Sequence, residues 1–224
     1  KMHLKINKKI LIYIFLFLTL GSINNKNLYD IKFSQITDIN IEGLSEKEHL
    51  KIIKNLELLN LQNLFILDKN KIIKILNSNN LIENFFIFKK YPSSLEIKIK
   101  QTEFLAKVNK NGKMYYLGSN GKLILSGKNK AELPLIFGEF KNKDFFDLYQ
   151  VINDTNFEFN EIKKLFFFNS GRWDIETYSG VLIKLPRKKF KQSFNISLKI
   201  LNNDKFKGIK TIDLRQSNQV IING

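Results

Sequence analysis

The sequence predicts an α+β protein: an N-terminal transmembrane helix, a β-α-α-β-β domain, then a mostly antiparallel β-domain with flanking helices. Three observations predict it. An uncharged apolar run, Ile10 to Ile23, sits directly behind Lys8 and Lys9. A strand-helix-helix-strand-strand periodicity occupies Ile36 to Lys100. From Phe104 onward the pattern changes to many short strands punctuated by glycine and asparagine.

The apolar run comes first. Fourteen helical residues rise about 21 Å, against a hydrocarbon core of about 30 Å. Snorkelling of Lys8 and Lys9, with Asn24 and Asn25 in the far interface, extends the span. Two other readings compete with an anchor. A cleaved signal peptide requires a small-residue cleavage site, and Gly21-Ser22-Ile23 is a weak one. A buried globular helix does not suit flanks of lysine on one side and asparagine on the other. Lys1, Lys5, Lys8 and Lys9 precede the run, so the positive-inside bias places residues 1–9 in the cytoplasm and the body outside. The anchor is assigned to residues 10–25 and a polar linker to 26–32.

The first folded domain is expected over residues 33–102. Ile36-Thr-Asp-Ile-Asn-Ile41 alternates as a strand does, and Gly43 ends it. Ser45-Glu-Lys-Glu48 has the form of a capping box, and Leu50, Ile53, Leu56 and Leu59 supply a helical apolar face. Asp68 is the N-cap of a second helix carrying Ile72, Ile73, Ile75 and Leu76. Leu81–Phe88 and Leu95–Lys100 read as strands around a turn at Pro92. Two helices over one face of a three-stranded sheet make a small α+β core.

The second domain is expected over residues 103–224. Met114–Leu117 and Leu123–Leu125 flank a Ser119-Asn-Gly121 hairpin turn. Leu133–Gly138 reads as a loop. Phe145, Phe146, Leu148, Tyr149 and Ile152 suit a short helix. Ile162–Phe168, Trp173–Tyr178 and Val181–Leu185 form a meander, and Phe190, Phe194, Leu198 and Leu201 recur at helical spacing. Thr211–Leu214 and Val220–Ile222 are the last strands. A terminal strand lies at or near a sheet edge, where unpaired N–H and C=O groups can accept a partner strand unless a neighbour covers them.

Composition excludes several functions. No cysteine is present, so disulfides, thiol nucleophiles and zinc-thiolate sites are out. His3 and His49 are the only histidines, and no Asp/Glu cluster has metal-ligand spacing, so no cofactor or metal is expected. The net charge is +16, yet only Arg172, Arg187 and Arg215 are arginine. A lysine-rich, arginine-poor surface suits loose attraction to anionic surfaces rather than specific nucleic-acid recognition. Asp38, Glu42, Glu46 and Glu48 read as solvated charges, and Gly118-Ser-Asn-Gly121 lies between strands, where a phosphate loop does not. Trp173 reads as a core anchor or a surface hot spot. Asp213 and Arg215 read as a structural pair, and Lys89-Lys90 and Arg187–Lys189 as solvated runs.

An ordered set of short motifs follows the anchor: Ile39-Asn-Ile-Glu-Gly43, Asn63-Leu-Phe-Ile-Leu-Asp68, Tyr91-Pro-Ser-Ser-Leu-Glu-Ile97, Tyr116-Leu-Gly-Ser-Asn-Gly121, Leu133–Gly138, Arg172-Trp-Asp-Ile175, Leu185-Pro186 and Ile212-Asp-Leu-Arg215. In this order and spacing they resemble the FtsQ/DivIB family of bacterial cell-division proteins. The resemblance covers nearly the whole chain. It implies a bitopic inner-membrane protein with a POTRA domain and a following β-domain, acting at the septum as a scaffold and not as an enzyme. It implies FtsB-like and FtsL-like coiled-coil partners, with no nucleic acid and no small-molecule substrate. The family's partner-binding strand follows the Asp-Leu-Arg motif, which maps to Gln216, Ser217, Val220, Ile221 and Ile222. Arg172 is a second carry-over. The chain departs from the family pattern at Gln101 and Phe104 in the inter-domain stretch, and at Gln216, where an aromatic often stands. The alternative is a POTRA-containing protein of secretion or outer-membrane assembly. A cell-wall hydrolase or polymer-binding module would need a carboxylate pair or aromatic groove that the sequence does not display.

Overall fold

The computed structural model describes residues 8–23, 35–57, 63–126, 132–216 and 219–224. The expected linker, Leu59 and Ser217 lie outside these residues. Lys8–Ile23 form one 16-residue helix, α1. Its apolar side chains from Ile10 to Leu18, and Leu20, are exposed on every side. At 1.5 Å per residue it is about 24 Å long. Among the described residues no helix is long and apolar enough to cross a membrane.

The chain divides into two compact units, Lys1–Ser78 with Phe85–Lys100, and Asn79–Asn84 with Gln101–Gly224. The first is built on β1 (Asp38–Glu42), α2 (Glu46–Leu56), α3 (Lys69–Ser78), β2 (Ile82–Lys90) and β3 (Ser94–Gln101). Its sheet order is β1-β3-β2, with β1 parallel to β3 and Asp38 opposite Ser94. A parallel pair requires a crossover, which α2 and α3 provide. Alternation puts Leu95, Ile97 and Ile99 on one face of β3, where all three are buried with Ile52, Leu56, Ile72 and Leu76.

Three local expectations need correction. Ser45 makes no side-chain cap bond; its carbonyl accepts from the amides of Glu48 and His49, and Glu48 pairs with Lys51 at 2.6 Å. Leu50 is exposed and Ile53 half-buried, because α2 turns Ile52 inward together with the expected Leu56. Lys89 is not solvated: its ammonium donates to the carbonyls of Leu64 (2.5 Å) and Leu67 (3.4 Å). The Asp68 cap does form, its Oδ1 accepting from the Asn70 amide at 2.9 Å.

The second unit is one nine-stranded sheet. Its strands are β4 (Phe104–Lys110), β5 (Lys113–Gly118), β6 (Leu123–Leu125), β7 (Leu135–Phe137), β8 (Ile162–Phe167), β9 (Trp173–Thr177), β10 (Leu182–Lys184), β11 (Thr211–Asp213) and β12 (Ile221–Asn223). The order is β12-β11-β10-β9-β8-β7-β4-β5-β6. Antiparallel pairing predominates, but β7 is parallel to both β4 and β8, and β10 to β11. The segment Leu133–Gly138 is therefore not a loop: it holds β7, a strand in the middle of the sheet. Pro134 and Gly138 bracket only three residues, so punctuation outweighed their apolar character. Asn111 and Gly112, both at positive φ, make the two-residue turn between β4 and β5.

Register gives the sheet two distinct faces. Ile136, Leu165, Ile175, Ile183, Ile212 and Ile222 lie side by side across β7 to β12. The first five are buried in one cluster with Phe145 and Leu148 of α4 (Asn142–Asn153) and Phe194 of α5 (Phe190–Leu201). The opposite face carries Phe137, Phe166, Asp174, Lys184, Asp213 and Ile221 in the adjacent row.

Candidate functional site

The C-terminal hairpin ends the sheet. Leu214 donates its amide to the Lys184 carbonyl (2.9 Å), so along β11 residues 212 and 214 face β10 while 211 and 213 face β12. Those two residues pair with Asn223 and Ile221. The Asn223 carbonyl accepts from Lys210 at 2.8 Å, on the same side. Alternation then turns the N–H and C=O of Ile222 away from β11, toward the open side of the sheet. No described strand pairs there. The apolar side chains of Val220 and Ile221 are exposed beside it, and Ile222 is half-buried. Val220 itself lies one residue before β12 rather than within it.

The turn into this hairpin is pinned by Asp213 and Arg215. The Arg215 Nε donates to both carboxylate oxygens at 2.9 Å, Nη2 donates to Oδ2 at 2.5 Å, and the Arg215 amide donates to Oδ1 at 3.0 Å. These bonds hold the Asp213 carboxyl below its ordinary range. The structural reading of this pair holds, and it fixes where Gln216 leaves the sheet. Between the start of α5 and the hairpin runs a groove of about 750 Å³, lined by Lys189, Ser193, Ile196, Leu214, Gln219 and Val220 among others. Sequence reasoning missed Ile196. It stands off the Phe190/Phe194/Leu198/Leu201 stripe, and its spacing of four from Ile200 was the available signal.

Arg172 sits apart from this edge. It precedes β9, three strands from β12, or about 14 Å at the usual spacing. Its guanidinium lies over the Phe168 ring (4.1 Å) and its Nε is 3.7 Å from Asp174 Oδ1. Both of those atoms are buried without a hydrogen-bond partner. Burial pushes the Asp174 carboxyl up, against the pull of Arg172, Arg215 and Lys184. Trp173 is buried against Phe167 and Phe140, which makes it a core anchor.

The Asp174 environment has a pH signature. A carboxyl whose folded pKa is raised takes up its proton more readily in the native state. Its contribution to stability is full below the unfolded value, about 3.9, and is lost as pH rises through the higher folded value. Asp174→Asn is expected to remove that loss. Urea unfolding of wild type and variant should diverge on going from pH 4 to pH 7, with the variant losing less.

Among the described residues, no group of three His, Asp or Glu side chains could hold a metal ion. The architecture is therefore a small β-α-α-β-β unit followed by a β-domain whose last strand is open. Comparison with known proteins identifies both units. Residues 34–101 match the model of the FtsQ-type POTRA domain, and residues 106–215 match that of the C-terminal region of cell division protein FtsQ/DivIB. The chain belongs to the FtsQ/DivIB family of cell division proteins. It is 24% identical to cell division protein FtsQ of Rickettsia bellii over 197 residues, covering 84% of this chain and 72% of the relative. It is 22% identical to FtsQ of Rhizobium meliloti, covering 84% and 62%. It is 32% identical to DivIB of Staphylococcus aureus over 124 residues, covering 54% and 28%. The extracytoplasmic domain of DivIB from Geobacillus stearothermophilus aligns structurally with a TM-score of 0.33 at 11% identity, over 42% of this chain and 86% of that one.

Proposed function

We propose that this chain is a non-enzymatic, membrane-anchored scaffold of the bacterial division complex, and that it binds FtsB-like and FtsL-like partners by strand addition at β12. The outward-facing N–H and C=O of Ile222 on the terminal strand carry this reading. The groove beside Val220 and Ile196 supports it, since an apolar side chain of an added strand can seat there. Gln216, Val220, Ile221 and Ile222 form the binding edge, with Ser217 in the connection before it. Arg172, on the outer face and near Asp174, acts at a distance from the strand or through a second segment of the partner.

α1 is the anchor in this reading. A helix apolar on all sides has no stable place in water, and Lys8 and Lys9 flank its first turn. The N-terminus is then cytoplasmic and both folded units are periplasmic, at the inner membrane of the septum. The reading as a protein of secretion or outer-membrane assembly accounts for a POTRA domain alone; the FtsQ/DivIB match over residues 106–215 favours division.

Calorimetry tests the proposal. The periplasmic part of the same organism's FtsB-like protein is titrated into residues 33–224, and into the same body ended after Arg215. Saturable binding that the shorter chain lacks, with its circular dichroism intact, is expected. Equal affinity of the two chains would remove the β12 edge from the contact.

A further inference from the structure

We propose a second membrane contact: the tip of the three-stranded unit formed by the Asn63–Leu67 loop and the Tyr91–Ser93 turn seats in the bilayer surface beside α1. The proposal rests on the reading of α1 as membrane-embedded.

Topology puts the tip at the correct end. β1 and β3 run parallel with Asp38 opposite Ser94, so both strands start at the same end of the sheet. The turn leading into β3 is therefore beside the point where the chain enters β1. The Thr37 amide donates to the Ser93 carbonyl at 3.0 Å, and Thr37 Oγ1 donates to Ser93 Oγ at 3.0 Å. Gln35 forms an isolated bridge with Asn63, bringing the other loop to the same place. Residues 24–34, eleven in number, separate this point from the end of α1. Fully extended, such a segment reaches about 40 Å. The tip is thus the part of the unit tethered nearest the helix.

The tip presents apolar side chains held outward. Phe65 is 59% exposed, Ile66 79% and Tyr91 57%, while Leu64 and Leu67 on either side are buried. The Phe65 and Tyr91 rings pack at 4.7 Å between centroids. The loop is not loosely placed. Asn63 Oδ1 accepts from the Phe65 amide at 2.8 Å, and Lys89 holds the carbonyls of Leu64 and Leu67 from below. Phe65, Ile66 and Tyr91 thus form one contiguous exposed apolar surface, the kind that marks a membrane or protein contact.

The surrounding groups fit a lipid interface better than a dry protein surface. Lys69 and Lys71 are exposed in the first turn of α3, and Lys90 pairs with Glu96 at 2.9 Å. Asp68 is bonded to the Asn70 amide. Tyr91 and Phe65, with the exposed Lys69 and Lys71 following the loop in the chain, suit the headgroup level, where the rings meet acyl chains and the ammonium groups meet phosphates.

The chain has no cysteine, so single sites can be labelled cleanly. The chain of residues 1–224 with Ile66→Cys, Phe17→Cys or Ser45→Cys carries an environment-sensitive fluorophore and is reconstituted into phosphatidylethanolamine–phosphatidylglycerol vesicles. Quenching is then read with headgroup-nitroxide lipid at Ile66 and Ser45 and with acyl-chain-nitroxide lipid at Phe17, which lies mid-helix. Ser45 lies beyond the far end of β1 and serves as the distant reference. The expected result is strong quenching at Phe17 and quenching at Ile66 at least threefold that at Ser45. In the Phe65→Ser background the Ile66 signal should fall toward the Ser45 level. Quenching at Phe17 with Ile66 equal to Ser45 overturns the tip contact, leaves the anchor standing and gives the tip to a protein partner. Absence of quenching at all three sites overturns the anchor and the tip contact together.

Discussion

Gly138→Ala is expected to destabilise the second unit by about 3 kcal/mol. Gly138 follows β7 at φ +97, a conformation that L side chains rarely adopt. A Cβ built there would lie 2.0 Å from the Phe167 carbonyl oxygen at the end of β8, the strand parallel to it. A methyl group cannot occupy that space without moving backbone in the middle of the sheet. Relief requires β7 and β8 to part, which would break the packing of Ile136 on Leu165. Gly112 supplies the comparison. It also has positive φ (+73), but a Cβ there would meet nothing within 4 Å. Gly112→Ala should carry the backbone term alone, about 1 kcal/mol. Thermal or urea unfolding of both variants separates steric exclusion from backbone preference, and equal losses would contradict the assignment. Gly43 repeats the arrangement in the first unit, where a Cβ would lie 1.9 Å from the Ile99 carbonyl oxygen.

The first unit was legible because its signals are long and agree with one another. Ile39 and Ile41 alternate within β1, Ile72 and Leu76 recur at helical spacing, and Leu95, Ile97 and Ile99 alternate again; each of these segments turns inward the face its period selects, while Ile36, buried too, lies before the strand. What failed was local chemistry. Ser45 had the spacing of a capping box but used its carbonyl instead of its hydroxyl. Lys89 read as a solvated charge because the carbonyls it serves, on Leu64 and Leu67, are more than twenty residues away in sequence. In the second unit β7 was invisible for a related reason. Three residues give too short a window for any period, and what makes Leu135–Phe137 a strand is the pair of neighbours, β4 and β8, that arrive from elsewhere in the chain. The C-terminal edge was legible as a strand, but its openness was not. That property depends on the order of nine strands, and the groove beside it depends on Ile196 facing the hairpin across a gap that no sequence spacing encodes.

Ile222→Pro is expected to weaken binding of the FtsB-like partner about 10–100-fold while leaving the fold intact. Proline removes the N–H that faces the open side and leaves the amides of Ile221 and Asn223, which face β11, in place. Its φ is compatible with an edge strand. The partner would lose a backbone hydrogen bond and meet the ring where its own strand must approach, a loss of roughly 1.4–3 kcal/mol in binding. Ile222→Ala is the necessary companion, because it removes the half-buried side chain but keeps the N–H. The most direct measurement is therefore the affinity of the partner for wild type, Ile222→Ala and Ile222→Pro, each confirmed as folded. Strand addition predicts that Ile222→Ala binds within a few-fold of wild type and Ile222→Pro does not. Equal affinity of the proline and alanine variants would contradict strand addition at β12 and move the contact elsewhere on the molecule.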